Sequence, residues 1–97
     1  MLSGKDKRYL RSMAMTMDAV VQVGKGGVNE SVLFSLNEAL DARELVKIKV
    51  LKNCFDEMNE VAAALEAQAG CEIVQVIGRN IIVYRKNPNK KGIVLPE

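Results

Sequence analysis

A chain of 97 residues that is 48% apolar and 27% charged, with two prolines, makes one small domain and excludes a disordered tail or a repeat array. The absence of histidine removes imidazole general-base chemistry, Ser–His and Cys–His nucleophiles and every histidine-containing metal site. The net charge of +2 hides strong segregation, in successive blocks of +3 (1–11), −3 (12–46), +3 (47–52), −5 (53–72) and +4 (73–97), a pattern suited to a polyanionic partner.

In chain order, Leu2 to about Met15 reads as a helix, with Ser3 as N-cap and Leu10, Met13, Ala14 and Met17 on one apolar stripe. Lys5, Lys7, Arg8 and Arg11 lie largely off that stripe. Ala19 to Val23 reads as a short buried strand, followed by the glycine loop Gly24-Lys25-Gly26-Gly27. Asn29 offers a cap for a second helix, striped by Leu33, Leu36 and Leu40 and ending near Ala42 or Arg43. Leu45 to Leu51 alternates as a strand, with Val46, Ile48 and Val50 on one face and Lys47 and Lys49 on the other. A turn starts at Asn53 or Cys54. Met58, Val61, Ala62 and Leu65 then mark an alanine-rich helix that stops at Gly70. Glu72–Ile77 and Ile81–Lys86 form a hairpin about Gly78-Arg79-Asn80, and residues 87–97 read as an irregular tail with a short extended piece at Ile93–Leu95.

The expected class is therefore α/β, in the order α-β-α-β-α-β-β, with a four-stranded mixed sheet whose last strand is antiparallel. One sheet face is expected to be wholly apolar, carrying Val21, Val23, Val46, Ile48, Val50, Val74, Val76, Ile82 and Tyr84. Gln22, Lys47, Lys49, Gln75 and Arg85 make the other too polar for a second full helical layer. Two helices should cover the apolar face, with the first at an edge or partly over the other. Phe34, Phe55 and the methionines are expected in the core, and Tyr9 is the best candidate for an exposed aromatic. Cys54 and Cys71 are expected to be reduced and buried, in a soluble cytoplasmic protein with no signal peptide. No apolar run approaches the ~20 residues of a membrane helix.

The glycine loop is the local feature with chemical content. Three glycines in four positions between a strand and a helix permit a sharp turn and close approach to a ligand. The following helix start favours an anion, and Lys25 adds a cation at the tip. A dinucleotide fingerprint fails because position 29 is asparagine, and no Walker A spacing exists. A Gly-x-x-Gly clamp of the kind that grips a single-stranded RNA backbone remains, beside the plainer reading of a joint between strand and helix.

The blocks Leu2-Ser3-Gly4-Lys5-Asp6-Lys7-Arg8-Tyr9-Leu10-Arg11, Val20-Val21-Gln22-Val23-Gly24-Lys25-Gly26-Gly27, Glu44 to Leu51, Val74 to Arg79, Val83-Tyr84-Arg85 and Ile93-Val94-Leu95-Pro96 occur in that order. Over essentially its full length the chain resembles the CRM domain (chloroplast RNA splicing and ribosome maturation) in its stand-alone bacterial YhbY form. The resemblance implies one RNA-binding domain over 1–97, with a fold similar to the C-terminal domain of translation initiation factor three. It also implies association with precursors of the large ribosomal subunit. Family members often carry histidine after the first helix and before the Glu-Leu block, where this chain has Met15 and Arg43. Arg43 keeps the positive charge.

The expected function is a non-catalytic, cytoplasmic RNA-binding protein of ribosome biogenesis, acting as a monomer on ribosomal RNA, with no cofactor, metal or small-molecule substrate. Its expected contact residues are Lys5, Lys7, Arg8, Arg11, Gly24, Lys25, Gly26, Gly27, Arg79 and Arg85, on one continuous surface. The acidic helix with Asp56, Glu57, Glu60 and Glu66 should face solvent away from RNA. The alternative is a protein-interaction module whose basic blocks bind an acidic protein partner. An enzyme acting on a small phosphate ligand is a third and weaker reading, with no nucleophile in view.

Overall fold

Seven elements follow one another in the expected order in the computed structural model, which describes residues 2–87. They are α1 (Gly4–Ala14), β1 (Val21–Val23), α2 (Glu30–Arg43), β2 (Leu45–Val50), α3 (Met58–Ala69), β3 (Glu72–Ile77) and β4 (Asn80–Tyr84). The expected extended piece at Ile93–Leu95 lies outside the described residues, as does the rest of the tail beyond Asn87.

Local chemistry sets the helix ends. Ser3 Oγ accepts the Asp6 N–H at 3.0 Å while the Asp6 carboxylate accepts the Ser3 N–H at 3.2 Å, a reciprocal capping box. Asn29 Oδ1 accepts the Val32 N–H at 3.0 Å and starts α2. Gly70, at φ 65°, ends α3. The corner between α2 and β2 is a single residue, Glu44, at φ 63°. A side chain in that conformation costs about 1–3 kcal/mol, which must be offset by what fixes it. The Glu44 N–H donates to Leu40 O and its carbonyl accepts the Arg85 N–H, both at 2.9 Å. Its carboxylate accepts the Asn87 N–H.

The sheet order is β1-β2-β4-β3. β1 and β2 are parallel, and β4 lies antiparallel to both of its neighbours. The last strand thus inserts between β2 and β3, which run the same way without touching. Val20 donates one further bond to Lys47 O at 3.1 Å, so the pairing reaches just beyond β1.

Val21, Val23, Val46, Ile48, Val50, Ile81 and Val83 face α2 and α3, meeting Leu36, Leu40, Val61 and Leu65 in the main core. Leu45, Val74, Ile82 and Tyr84 face the other way, under Leu2, Leu10 and Ala14 at α1, with Met13 and Met17 packed at its margin. The expectation that Val74, Ile82 and Tyr84 share a face with Val46 is therefore corrected. Ile82 stands opposite Lys47 and Tyr84 opposite Leu45, which puts both on the lysine side of β2. On β3, Ile73 pairs with Val83 and Gln75 with Ile82, leaving Val74 as an extra bulged residue. Val74 and Gln75 consequently both lie on the α1 side.

Two aromatic residues are also corrected. Phe34 is 68% exposed and Phe55 is 87% exposed. Phe34 stands off the Val32, Leu36 and Leu40 stripe, and Phe55 occupies the β2–α3 connection next to buried Cys54. Met15 is exposed too, whereas Tyr9 faces solvent as expected. Cys54 and Cys71 are buried and unpaired, and the Cys71 thiol donates to Leu65 O at 3.5 Å.

Candidate nucleic-acid interface

The glycine loop is a tight turn closed by its own backbone: the Gly27 N–H donates to Gly24 O at 2.9 Å. Lys25 and Gly26 form the exposed tip. Gly27 has φ +66°, and a Cβ there would stand 2.9 Å from Asp56 Oδ2. A Cβ on Gly26 would stand 2.7 Å from Asn29 Nδ2, the side chain that caps α2. The backbone therefore requires glycine at Gly27, whereas at Gly26 a methyl group would push aside the Asn29 amide that caps α2. The loop is anchored to the end of β2 by the Leu51 N–H, which donates to Val23 O at 2.8 Å. The positive dipole end of α2 begins at Glu30, beside the turn.

The basic residues of α1 lie at one side of the same sheet face. Lys7 and Arg11 are one helical turn apart, as are Arg8 and Arg11, so the three share a flank; Lys5 and Arg8 are exposed. Where α1 ends, it leaves a cleft of ≈ 380 Å³ against the sheet, lined by Arg11, Met15, Lys47, Gln75, Asn80 and Ile82 among others. A second cleft continues from it over β3, lined by Arg8, Arg11, Ser12, Met15, Gln75 and Ile77. Lys47 Nζ donates to Met17 O at 3.3 Å, which tethers the chain leaving α1 to the cleft floor.

Ladder register extends this face to the loop. Lys49, exposed, is two residues beyond Lys47 on the same side of β2 and pairs with Asn80 on one flank and Gln22 on the other. Gln22 is exposed and precedes Gly24 by two residues. Arg8, Arg11, Lys47 and Lys49 therefore follow one another across the open side of the sheet, toward the end where Lys25 tips the exposed glycine turn. Lys47 and Lys49 were not among the expected contact residues. The Val46-Lys47-Ile48-Lys49-Val50 alternation already put both on the face that α2 and α3 do not cover.

The two hairpin arginines part company. Arg79 is brought beside the loop: its Nε donates to Val50 O at 2.9 Å and its Nη2 to Leu51 O at 2.6 Å, while the Val50 N–H donates to Arg79 O at 2.8 Å. Its guanidinium ties the hairpin turn to the end of β2. Arg85 lies at the opposite end of β4 and on the opposite face, donating to Asn37 Oδ1 and Ala69 O, both at 2.7 Å. The expectation of one surface holding both hairpin arginines is corrected, because a five-residue strand separates the two ends of β4.

Three carboxylates surround Tyr84 at that far end of the sheet. Burial pushes the Tyr84 phenol above its usual range, and the nearby carboxylates Glu44, Glu72 and Asp6 push it the same way. Glu72 also accepts the Leu2 N–H at 3.0 Å. The carboxylates around Tyr84 thus lie at the end of β4 opposite Arg79, Lys49 and the glycine loop. Asp56, Glu57, Glu60 and Glu66 are all exposed on and before α3, but Asp56 lies against Gly27 of the glycine turn, so the expectation that these carboxylates stand away from the proposed contacts does not hold for Asp56.

Comparison with known proteins identifies the family. Residues 2–85 match the family model of the CRS1 / YhbY (CRM) domain. The chain is 47% identical over 96 residues to YqeI of Bacillus subtilis (strain 168), named "Probable RNA-binding protein", covering 99% of this chain and all of that one. It is 33% identical over 95 residues to a Haemophilus influenzae protein named "RNA-binding protein", covering 98% and 95% of the two chains. The solution structure of SAV1595 from Staphylococcus aureus superposes with a TM-score of 0.84 at 47% identity, covering 99% of this chain and 100% of that one. A match along nearly the whole length, in sequence and in fold, settles the family: this chain belongs to the CRS1 / YhbY (CRM) domain family.

Proposed function

We propose that this protein binds RNA without catalysing a reaction and acts, as a monomer in the bacterial cytoplasm, in assembly of the large ribosomal subunit. The observation that carries RNA binding is the succession of Arg8, Arg11, Lys47 and Lys49 along one open face, with Lys25 in the exposed glycine turn at its end. Several phosphate contacts spread over one face are what a small RNA-binding domain needs, since each contact alone is weak and screened by salt. The names of the Bacillus and Haemophilus relatives support the same reading. Lys5, Lys7, Arg8, Arg11 and the Gly24–Gly27 loop remain the proposed contacts, joined by Lys47 and Lys49. Arg79 serves by holding the loop's neighbour in place, and Arg85 is left out. The assembly role rests on the family resemblance.

Crosslinking in cells, followed by sequencing of the attached RNA, tests both levels. Enrichment of large-subunit ribosomal precursor is expected. Enrichment of messenger RNA instead would overturn the assembly role and leave RNA binding intact.

A further inference from the structure

We infer that the cleft between the end of α1 and the open sheet face is a subsite for one unstacked base of single-stranded RNA. The Gln75 and Asn80 amides would read the edge of the base, with Arg11 and Lys47 meeting its phosphate. The inference rests on the RNA-binding reading above and adds to it a place where sequence is read. The cleft is lined by buried Ile82 and by the more exposed Met15 and Ile77, with two cations, two neutral amides and, among the described residues, no acidic side chain. An apolar pocket with a few convergent polar groups suits a flat heterocycle, and the pair of cations adds an anion requirement. A duplex cannot use it: A-form bases are locked in the stack, whereas unpaired bases can be splayed into a pocket.

The bulge on β3 supplies the second argument. Strict alternation from Ile73 would turn Gln75 toward α2 and α3. The extra residue, Val74, instead puts Gln75 opposite Ile82, on the α1 side and in the lining of both clefts. An amide carries both donor and acceptor atoms, so Gln75 and Asn80 together can match the mixed edge of a base in a way that lysine cannot. Lys47 keeps two of its three donors after bonding Met17 O. The flexible Met15 thioether, exposed at the rim, adapts to the face of the ring.

The test compares the wild type with the Gln75→Ala/Asn80→Ala variant, its fold verified by circular dichroism. Each is titrated with short single strands of oligo-U, oligo-A and oligo-C and with an RNA duplex of equal length. The variant should bind the best single strand about tenfold more weakly and the duplex as tightly as the wild type does. In the wild type, the side-chain amide resonances of Gln75 and Asn80 should shift on adding that strand and stay in place with the duplex. Unchanged single-strand affinity in the variant, unmoved amide resonances at saturation, or binding of the duplex alone would each overturn the base subsite and leave RNA binding standing. A wild type that binds neither single strand nor duplex would remove both.

Discussion

Arg85 Nη2 lies 3.0 Å from Asp41 Oδ1, while Nη1 of the same guanidinium donates to Asn37 Oδ1 and to Ala69 O, the carbonyl at the end of α3. One side chain from the end of the sheet thus closes the gap between the two covering helices. The ion pair itself contributes little, because the Asp41 side chain is 72% exposed. The bonds to Asn37 and Ala69 are partly shielded and carry more. Arg85→Ala should therefore lower unfolding free energy by about 1–3 kcal/mol, and Asp41→Ala by under ~0.5 kcal/mol, in denaturant titrations. RNA affinity should be the same in both variants as in the wild type. A loss of RNA binding by folded Arg85→Ala would return this arginine to the interface.

The glycines of the loop should respond unequally to alanine. At Gly27 a methyl group meets both a positive φ and the Asp56 carboxylate at 2.9 Å, so Gly27→Ala should cost about 1–3 kcal/mol in chemical denaturation. At Gly26 the new methyl displaces Asn29, and the loss of about 1 kcal/mol is that of a helix cap. Gly24 has its nearest neighbour at 3.5 Å, an ordinary van der Waals distance, so Gly24→Ala should fold within ~0.5 kcal/mol of the wild type. Equal stability of the Gly24 and Gly27 variants would contradict this account of the turn.

Two buried groups give stability an alkaline limit. Burial raises the Cys71 thiol, outweighing the lowering by a backbone hydrogen bond and by Arg85; burial and then the surrounding carboxylates raise the Tyr84 phenol. Both shifts are upward, so the folded state keeps protons that the unfolded chain has already lost. Stability is then fully present below about pH 8 and falls as pH rises past the unfolded-state values, about 8.5 for the thiol and about 10 for the phenol. Thermal melts across this range should show two declines, the upper missing in Tyr84→Phe and the lower reduced in Cys71→Ala. A flat profile to pH 11 (about one unit above the phenol's ordinary value) would refute the shifts.

Most of the architecture was legible because each element carries its own period and its own ends. Ser3, Asn29 and Gly70 mark helix boundaries through local bonds that involve only neighbouring residues. The orientation of the hairpin was not. Ile81-Ile82-Val83-Tyr84 is apolar at every position, so alternation carries no information about which face is which. Pairing with β2 decides it, through Ile82 opposite Lys47, and the Val74 bulge then changes the phase of β3. Both are long-range facts. Much of the candidate interface was readable for the opposite reason: the glycine turn and the α1 bases are local. Arg79 and Arg85 misled because six positions on a hairpin look close in sequence, although the strand between them places them at its opposite ends.

The central claim is that RNA meets the face running from Arg8 to Lys25, and matched charge reversals test it most directly. Lys25→Glu/Arg8→Glu and Arg43→Glu/Lys86→Glu each replace two exposed bases and change net charge equally, the first pair on the proposed face and the second at the far end of the sheet. Affinity for large-subunit ribosomal RNA is measured by fluorescence anisotropy over a series of salt concentrations. The first pair should weaken binding at least about tenfold and lower the salt slope by about one for each phosphate no longer neutralised, while the second pair stays near the wild type. Equal weakening by the two pairs, or weakening by the second alone, would contradict the assignment of this face.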